Sequence, residues 1–590
     1  MQRREFCRLA LATAVLSSAW EESSASMDIP DPDRWILDMV HSNPGEKPPA
    51  TAFLNPRTLA GYGYNGQVVM SVVEGLPTFD QLDATLIPRG SKERAWAEDV
   101  AHKIGQQIEA AHKAGLRCFA WMQFAVLPKS LVTRFQGEIC DAQGRVEPVL
   151  PATQTILRMQ IREIFDRLPL LDGLMIRTGE VYLQDLPYHA STRASVQQMT
   201  AGSSAILHAE QSHVALLRIL RDEVCMARNR MVFYRTWDFG DNFHTNPAYY
   251  RRVTDAIDPH PRLIFSVKHQ KGDFHQLTPF NPTLMIGKHR QIVEVQCQRE
   301  GYGKGAHPYY IGKGVIEGWE EMDRLMKPGE PRGLRDVVQS PLYAGAWTWS
   351  RGGGWNGPYI VNEMWCAQNA AMIARYAQDT TQSEAELLAA YARSIPLSDD
   401  DVVRYCEMQE LCPRAVLRGQ LTNLDAQIDV WWTRDDKLGN PDLSDFLRKG
   451  LIEKAIAEKE EACAMWQRIF ELAMQIHWPN PEMRAFVVTS AKYGLYKYEV
   501  IRQGWTVLLL GRSGDAFGQH DRKRINAALN GYDLAWKEWN LLQARESTCA
   551  SLYLDRGFGN SPGLGAAVDR YRSLSVDANT RIAVSRGYEN

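Results

Sequence analysis

The feature that most constrains the fold is an alternation of short apolar runs and longer helical segments between residues 50 and 357. Helical periodicity fills the stretches between the apolar runs. Strands that alternate with helices favour parallel pairing, because a parallel strand is reached only through a crossover connection. Seven runs have the length and the β-branched or aromatic content of strands: 67–75, 116–124, 171–180, 229–239, 261–273, 291–300 and 343–353.

Seven strands, with an eighth expected at 50–54 or 309–312, predict an α/β protein with a (β/α)8 TIM barrel over residues 45–357. The helical segments of the barrel are predicted at 91–115, 152–168, 202–228 and 316–326. An open doubly wound sheet would also fit the alternation. However, no glycine-rich phosphate loop follows the first strand, and the GGGW stretch at 352–355 opens no βαβ unit.

From residue 358 onward the sequence changes to one helical segment after another. Apolar residues recur with helical spacing, and Ser398 and Ser444 are suitable N-caps. Residues 358–590 are therefore predicted to form an all-helical C-terminal domain. The segments are 362–379, 383–395, 398–411, 444–477, 482–505 and 519–544.

The first 26 residues have the pattern of an export signal: Arg3 and Arg4, then Phe6, then an apolar stretch from Leu9 to Leu16. The paired arginines resemble a twin-arginine signal. The alternative is a short N-terminal helix of a cytosolic protein. The signal predicts a periplasmic or extracellular protein, and no later run reaches the ~18 apolar residues needed to span a membrane.

Charge and composition restrict the partners. The formal net charge is only -3, and no basic block supplies the counterion release on which nucleic-acid binding depends. Neither a CxxC motif nor a His/Cys cluster has the spacing of a metal site. We therefore expect no nucleic acid, no metal and no other cofactor, and we expect that the helical domain could support a homodimer.

Three carboxylates follow separate predicted strands: Glu180, Asp273 and Glu300. In a barrel of parallel strands, the carboxyl ends of the strands and the loops after them carry the chemistry, so these side chains should share one cavity. Carboxylates in a cleft can divide acid and base roles, which is what hydrolysis of a glycosidic bond requires. The alternative for each of them is a salt bridge that fixes a loop.

Three cations lie near the ends of other strands: Arg177, Arg235 and Lys268. A carboxylate on the substrate would explain them, since guanidinium groups bind carboxylates through two parallel hydrogen bonds. Their alternative role is to neutralise the three acids. Tryptophan rings near the same ends could wall a sugar or simply fill the core. The candidates are Trp237, Trp347, Trp349 and Trp355.

Two segments, FSVKHQKGDF (265–274) and VEVQCQREGYGKG (293–305), resemble paired segments of the α-glucuronidases of glycoside hydrolase family 67. The resemblance implies that Asp273 and Glu300 activate water. GLMIRTGE is similar to the family strand that bears the general acid, which implies this role for Glu180. VFYRTWDF and the lysine of the first segment imply that Arg235 and Lys268 bind the uronate carboxylate.

This chain departs from the family pattern at several points. Arg177 stands where the family has lysine, one residue closer to the acid, and Val181 replaces the glycine after it. The chain also shows no counterpart of the family's large N-terminal α/β domain before the first strand-like runs. We therefore expect a distant relative of this family.

Together these features predict an exo-acting glycoside hydrolase that removes a terminal, α-glucuronate-like uronic acid from an oligosaccharide or polysaccharide with inversion of the anomer. A glycosidase of the same fold that acts on a neutral or another sugar is the first alternative. A barrel that binds oligosaccharide without turnover is the second, and a uronate lyase is the third.

Overall fold

A computed structural model gives the structure of the chain. The residues that it describes are 32–42, 49–179, 181–191, 202–237, 243–272, 274, 277–298, 305–351, 359–429, 432, 437–512, 519–557, 559 and 561–572. The chain divides after Pro32, and every strand and helix named below belongs to the unit that begins at Asp33.

Eight parallel strands form a closed barrel, and two further strands form a small antiparallel ladder. The strands are β1 (Trp35–Val40), β2 (Gly66–Val69), β3 (Arg117–Gln123), β4 (Val126–Pro128), β5 (Gly173–Arg177), β6 (His189–Ser191), β7 (Met231–Arg235), β8 (Leu263–Lys268), β9 (Gln291–Gln296) and β10 (Tyr343–Arg351). The barrel order is β1-β10-β9-β8-β7-β5-β3-β2, and β4 pairs with β6. The predicted TIM barrel and its seven predicted strands are confirmed.

The eighth strand is β1, so its prediction at 50–54 or 309–312 is wrong and the barrel begins before residue 45. Residues Ala52–Leu54 form a 3-10 helix instead. The strand β1 was not predicted because a charged residue, Asp38, interrupts its apolar run WILDMV. Asp38 is buried, and two hydroxyl groups of β10 donate hydrogen bonds to its carboxylate: Thr348 Oγ1 over 2.6 Å and Ser350 Oγ over 2.7 Å.

Helices connect the strands on the outside of the barrel. They are α1 (Pro56–Gly61), α2 (Asp80–Asp83), α3 (Lys92–Lys113), α4 (Lys129–Ile139), α5 (Pro151–Arg167), α6 (Gly202–Leu220, continued by a π-helical turn at Arg221–Met226), α7 (Pro247–Thr254), α8 (Gly312–Ile316) and α9 (Met322–Leu325). Ser91 caps α3 through its hydroxyl, which accepts from the Arg94 N–H. The single helix predicted at 316–326 is wrong: α8 ends at Ile316, α9 covers only Met322–Leu325, and Gly318, at positive φ, lies between them.

The predicted helical region is also confirmed, but two details are wrong: the segment predicted as one helix at 444–477 divides into two helices, and Ser444 is the first residue of the first helix and not its N-cap. The region comprises α10 (Met364–Gln378), α11 (Glu384–Ser394), α12 (Asp399–Gln420), α13 (Ser444–Arg448), α14 (Ile452–Gln475), α15 (Pro481–Arg512), α16 (Gln519–Arg545) and α17 (Leu564–Asp569). Helix α10 packs against β10, which joins this region to the barrel. Among the described residues, no helix is both long enough and apolar enough to cross a membrane.

The barrel interior has its own hydrophobic core. Side chains alternate along each strand, so every second residue points inward. At one level Trp35, Phe119 and Phe233 pack edge to face, with ring centroids 5.1–5.7 Å apart. The interior core consists of Trp35, Leu37, Met39, Val68, Phe119, Trp121, Met175, Met231, Phe233, Ile264, Ile292, Ala344, Trp347 and Trp349.

Candidate active site

Alternation places four charged side chains inside the carboxyl end of the barrel. Arg177 follows the interior residue Met175 by two positions, and Lys268 follows Ile264 by four. Arg235 and Glu294 follow interior residues in the same way. The mouth of this barrel is therefore the place where the substrate chemistry of the fold would lie.

The three predicted catalytic carboxylates, Glu180, Asp273 and Glu300, lie outside the described residues, as does Trp355. The remaining predicted site residues are described, namely Arg177, Arg235, Lys268, Trp237, Trp347 and Trp349. The structure brings these six residues together at the barrel mouth through the contacts described below.

Arg235 forms a buried bidentate ion pair with Glu294. Its Nε donates to Oε2 over 3.0 Å and its Nη2 donates to Oε1 over 2.6 Å. The two side chains are 2% and 0% exposed, and Ser266 Oγ adds a hydrogen bond of 3.3 Å to Glu294. The sequence predicts Arg235 as a ligand of the substrate carboxylate. In the structure this arm of the guanidinium binds Glu294, an acid that was not among the three carboxylates predicted from the sequence.

Aromatic rings surround the Arg235 guanidinium. Its Cζ lies 4.9 Å from the ring centroid of Trp121, 5.5 Å from that of Trp347 and 5.3 Å from that of Trp349. The rings themselves contact one another, since the Trp347 and Trp349 centroids are 5.9 Å apart. Arg235, Glu294 and these three tryptophans form a layer that closes the barrel beneath the mouth, which we call the mouth floor.

Lys268 lies over aromatic rings at the same end. Its Nζ is 3.5 Å from the ring centroid of Trp237, 4.5 Å from that of Phe274 and 5.9 Å from that of Trp349. The His41 ring stacks on Trp349 with a centroid distance of 4.7 Å and an interplanar angle of 7°. An ammonium group over ring faces gains cation–π attraction. Lys268 thus presents a positive charge within an aromatic wall.

Arg177 occupies the neighbouring sector of the mouth. Its Cζ lies 4.7 Å from the ring centroid of Tyr182 and 5.5 Å from that of Trp121. Trp121 therefore contacts both Arg177 and Arg235. At the opposite edge, Arg351 Nε lies 2.8 Å from Glu363 Oε1.

Two indole groups add hydrogen-bond donors. Within the described part of the chain, Nε1 of Trp347 and Nε1 of Trp349 are buried and meet no acceptor. A buried donor without a partner costs free energy, and such groups in a cleft are suited to bind the oxygen atoms of a ligand. Trp347 and Trp349, two of the tryptophans predicted to wall a sugar, therefore lie at this end of the barrel, and Trp347 is wholly buried.

Glu74, in the turn after β2, is a buried carboxyl group. It is 0% exposed, and its Oε1 accepts a hydrogen bond of 3.1 Å from Gln123 Nε2. Burial raises the pKa of Glu74 from its ordinary value of 4.5 to about 8. At neutral pH this carboxyl group is therefore protonated in the folded protein.

We expect the pKa of Glu74 to make the protein less stable as pH rises. Between pH 4.5 and about 8 the folded state holds a proton that the unfolded chain has released. The free energy of unfolding therefore falls, by at most about 1.4 kcal/mol for each pH unit. Glu74→Gln should make this pH dependence shallower, as measured by urea unfolding from pH 5 to 8. An unchanged slope in this variant would contradict the assignment.

Sequence reasoning missed Glu294 and Trp121 as members of the site. The signal for Glu294 was present, since a lone carboxylate inside the buried strand QIVEVQ requires a cation nearby. Trp121 lies two residues after Phe119 on the same interior face. Its role at the site could not be predicted, because a tryptophan in a buried strand is expected to belong to the hydrophobic core. Glu74 lies at the end of the predicted strand 67–75, and the sequence predicts no role for it.

The described residues contain no group of three or more His, Cys, Asp or Glu side chains that could hold a metal ion. What they offer instead is a set of cations and aromatic faces around a buried ion pair. Such a surface can bind an anionic, ring-shaped ligand through charge and stacking.

Three solved structures of glycoside hydrolases are similar to this fold. A GH138 enzyme that targets pectin rhamnogalacturonan II matches with a TM-score of 0.51 at 12% identity, over 92% of this chain and 83% of that one. An O-GlcNAc hydrolase of Thermobaculum terrenum has a TM-score of 0.37 at 9% identity, over 92% of this chain and 96% of that one. A GH20 exo-β-N-acetylglucosaminidase of Vibrio harveyi has a TM-score of 0.30 at 11% identity, over 61% and 57%.

No family model and no curated protein matches the sequence. At these identities the structural likeness shows the fold alone, which is a (β/α)8 barrel followed by helices. The chemistry of the site must therefore be argued from the residues of this chain.

Proposed function

We propose that this protein is an exo-acting glycoside hydrolase that removes a terminal uronic acid from an oligosaccharide or polysaccharide. The observation that carries the proposal is the combination of Arg177 and Lys268 with aromatic faces at the carboxyl end of a glycosidase-type barrel. Aromatic faces suit pyranose rings, and cations beside them suit a C6 carboxylate.

The catalytic roles rest on the sequence. Glu180 would protonate the departing glycosidic oxygen, while Asp273 and Glu300 would activate a water molecule on the opposite face of the ring. This arrangement inverts the anomer and requires carboxyl groups roughly 6.5–9.5 Å apart. In this proposal an α-linked glucuronate-like residue is the group removed, and the products are the free uronic acid and a shortened acceptor.

The likeness to a pectin-targeting enzyme supports an acidic polysaccharide as the source of the substrate. Pectins are rich in uronic acids, and a cationic mouth would bind their chain ends more tightly than those of neutral glucans. We therefore include pectic fragments beside aldouronic ones as candidate substrates.

A substrate panel tests the proposal. The purified protein is incubated with aldouronic, pectic and neutral oligosaccharides, and proton NMR follows the released sugar and its first-formed anomer. The expected result is release of a uronic acid with inverted configuration. Retention at the anomeric carbon would refute the assigned roles, and an unsaturated product that absorbs in the ultraviolet would show a lyase instead.

Lys268→Met tests the selection of an anionic sugar. We expect KM for a uronic acid substrate to rise about 10- to 100-fold, the loss of one charge-assisted contact, while the melting temperature changes little. Lys271→Met is the matched control, because Lys271 lies exposed in the loop that follows β8. Equal effects of the two variants on KM would exclude a role for Lys268 in substrate binding.

A glycosidase that acts on a neutral sugar is the second candidate, and the Arg235–Glu294 ion pair favours it. Because the bidentate arm of Arg235 binds Glu294, one of the three predicted cations serves the fold. Turnover of a neutral oligosaccharide together with no turnover of any uronic acid substrate would establish this alternative.

We also propose that the chain is exported, on the basis of its N-terminal sequence alone. Paired arginines followed by an apolar stretch direct a chain to a secretion system. Expression with Arg3 and Arg4 both replaced by Lys should leave the protein in the cytoplasmic fraction if the twin-arginine route is used. An unchanged periplasmic fraction would refute that route.

A further inference from the structure

A buried hydrogen-bond network lies behind the aromatic wall around Lys268. Its central residue is His244, which is 0% exposed. The His244 ring packs against the Trp237 ring, with centroids 5.2 Å apart and an interplanar angle of 79°. Lys268 Nζ lies 3.5 Å from the centroid of the same Trp237 ring. Trp237 therefore contacts both the imidazole and the ammonium group.

Hydrogen bonds fix the orientation of the His244 ring. Asn281 Nδ2 lies 3.1 Å from His244 Nε2, and Thr236 Oγ1 lies 3.0 Å from His244 Nδ1. The Thr283 backbone N–H donates to Asn281 Oδ1 over 3.0 Å, so the other end of this amide, Nδ2, faces the ring as a donor. His244 Nε2 therefore accepts, and in this neutral ring Nδ1 carries the hydrogen and donates it to Thr236 Oγ1.

The network is anchored to the backbone. The Thr236 hydroxyl donates to the Ser266 carbonyl oxygen over 3.3 Å, and the Thr236 N–H donates to the same oxygen over 3.0 Å. The Thr283 hydroxyl donates to the His244 carbonyl oxygen over 2.8 Å. Thr236, Asn281 and Thr283 are each 0% or 1% exposed. Because unpaired buried polar groups are costly, few other positions of the His244 ring would satisfy these hydrogen bonds.

An ammonium group is attracted to the face of an indole ring, so the place of the Lys268 charge depends on the place of the Trp237 ring. Phe274 and Trp349 complete the wall, with ring centroids 4.5 Å and 5.9 Å from Lys268 Nζ. We propose that His244 is a positioning residue, which holds the Trp237 ring and thereby sets where the Lys268 charge meets the carboxylate of the substrate. This inference rests on the proposed function for the ligand of Lys268, while the network itself is independent of it.

His244→Phe tests the positioning role, because phenylalanine keeps a ring beside Trp237 and removes both ring hydrogen bonds. We expect KM for a uronic acid substrate to rise about 3- to 10-fold, while kcat changes less than about 2-fold. The effect should disappear when Lys268→Met is already present, because the variant acts through Lys268. An unchanged KM, or an equal rise in the Lys268→Met protein, would overturn the positioning role.

Thr236→Val is a milder variant for the case in which His244→Phe folds poorly, since valine has a similar shape and removes only the hydroxyl that His244 binds. We expect KM to rise about 2- to 5-fold. Thr254→Val is the matched control, because Thr254 is also buried and its hydroxyl has no hydrogen-bond partner among the described residues. Equal KM values for these two variants would contradict the proposal.

NMR of protein isotope-labelled at lysine Cε tests the arrangement even if the wild-type protein hydrolyses no uronic acid substrate. The Lys268 signal, assigned by its loss in Lys268→Met, should be shifted upfield by the ring current of Trp237 and should move downfield in His244→Phe. A signal that stays in place would overturn the positioning role. An inert wild-type protein with a His244-dependent Lys268 signal would instead refute the proposed function and leave the positioning of Lys268 supported.

Discussion

Glu294→Ala should lower the free energy of unfolding by about 3–5 kcal/mol, since it removes one partner of a buried ion pair. The Arg235 guanidinium would remain 2% exposed among Trp121, Trp347 and Trp349, with its bidentate acceptor gone. Cation–π contacts compensate only part of this cost, because each contributes roughly 0.5–2 kcal/mol. We expect the apparent melting temperature to drop by roughly 2–4 °C in a thermal scan, since a unit of this size has a large entropy of unfolding.

The double variant Arg235→Met/Glu294→Met separates the charge imbalance from the loss of packing. Replacing both charges with apolar side chains of similar volume is often neutral for stability, so the double variant should recover most of the loss. Glu138→Ala is the control for a carboxylate on the surface, where little change is expected. A Glu294→Ala protein as stable as wild type would show that the ion pair does not hold the mouth floor together.

Glu180→Gln should reduce kcat on a substrate with a poor leaving group about 10²- to 10⁴-fold, because an amide cannot donate a proton to the glycosidic oxygen. Binding should persist, since the cations and aromatic rings of the mouth are unchanged. Isothermal titration with a non-hydrolysed uronic acid measures this binding directly. A large loss in kcat with little change in affinity is the signature of a group that acts in the transition state.

Glu138→Gln serves as the matched control, since Glu138 is exposed on α4 and far in sequence from the candidate site. If Glu180→Gln retained full activity, the acid would have to be another carboxyl group. If the wild-type protein bound oligosaccharides and hydrolysed none of them, the protein would be a binding barrel, which is the second alternative that the sequence left open.

Most of the barrel was predictable because buried parallel strands read as near-continuous apolar runs. LMIR, MVFYR and LIFSVK each became a strand that ends at the predicted basic residue, namely Arg177, Arg235 and Lys268. The carboxyl-end location of the cations followed from the direction of the strands alone. The positions of these three cations could therefore be predicted from the local sequence.

What could not be predicted depends on partners that are distant in the sequence. Arg235 and Glu294 are 59 residues apart, and each has several oppositely charged neighbours closer along the chain. Only the barrel order, in which β7 is separated from β9 by β8, brings them together across the interior. The strand β1 was missed for the same reason, since Asp38 is acceptable in a buried strand only with Thr348 and Ser350 beside it.

The pairing of β1 with β10 has a consequence for how the chain must fold. These strands are about 310 residues apart, as the hydrogen bond from Thr348 to Asp38 shows. The ribosome must synthesise the chain as far as Arg351, about three fifths of the 590 residues, before the barrel can close. Contacts of such long range form slowly. Until then the free edges of both end strands would be open to pairing with other chains. Fragments that stop before β10 should therefore aggregate, and folding in the cell should depend on chaperones that shield these edges.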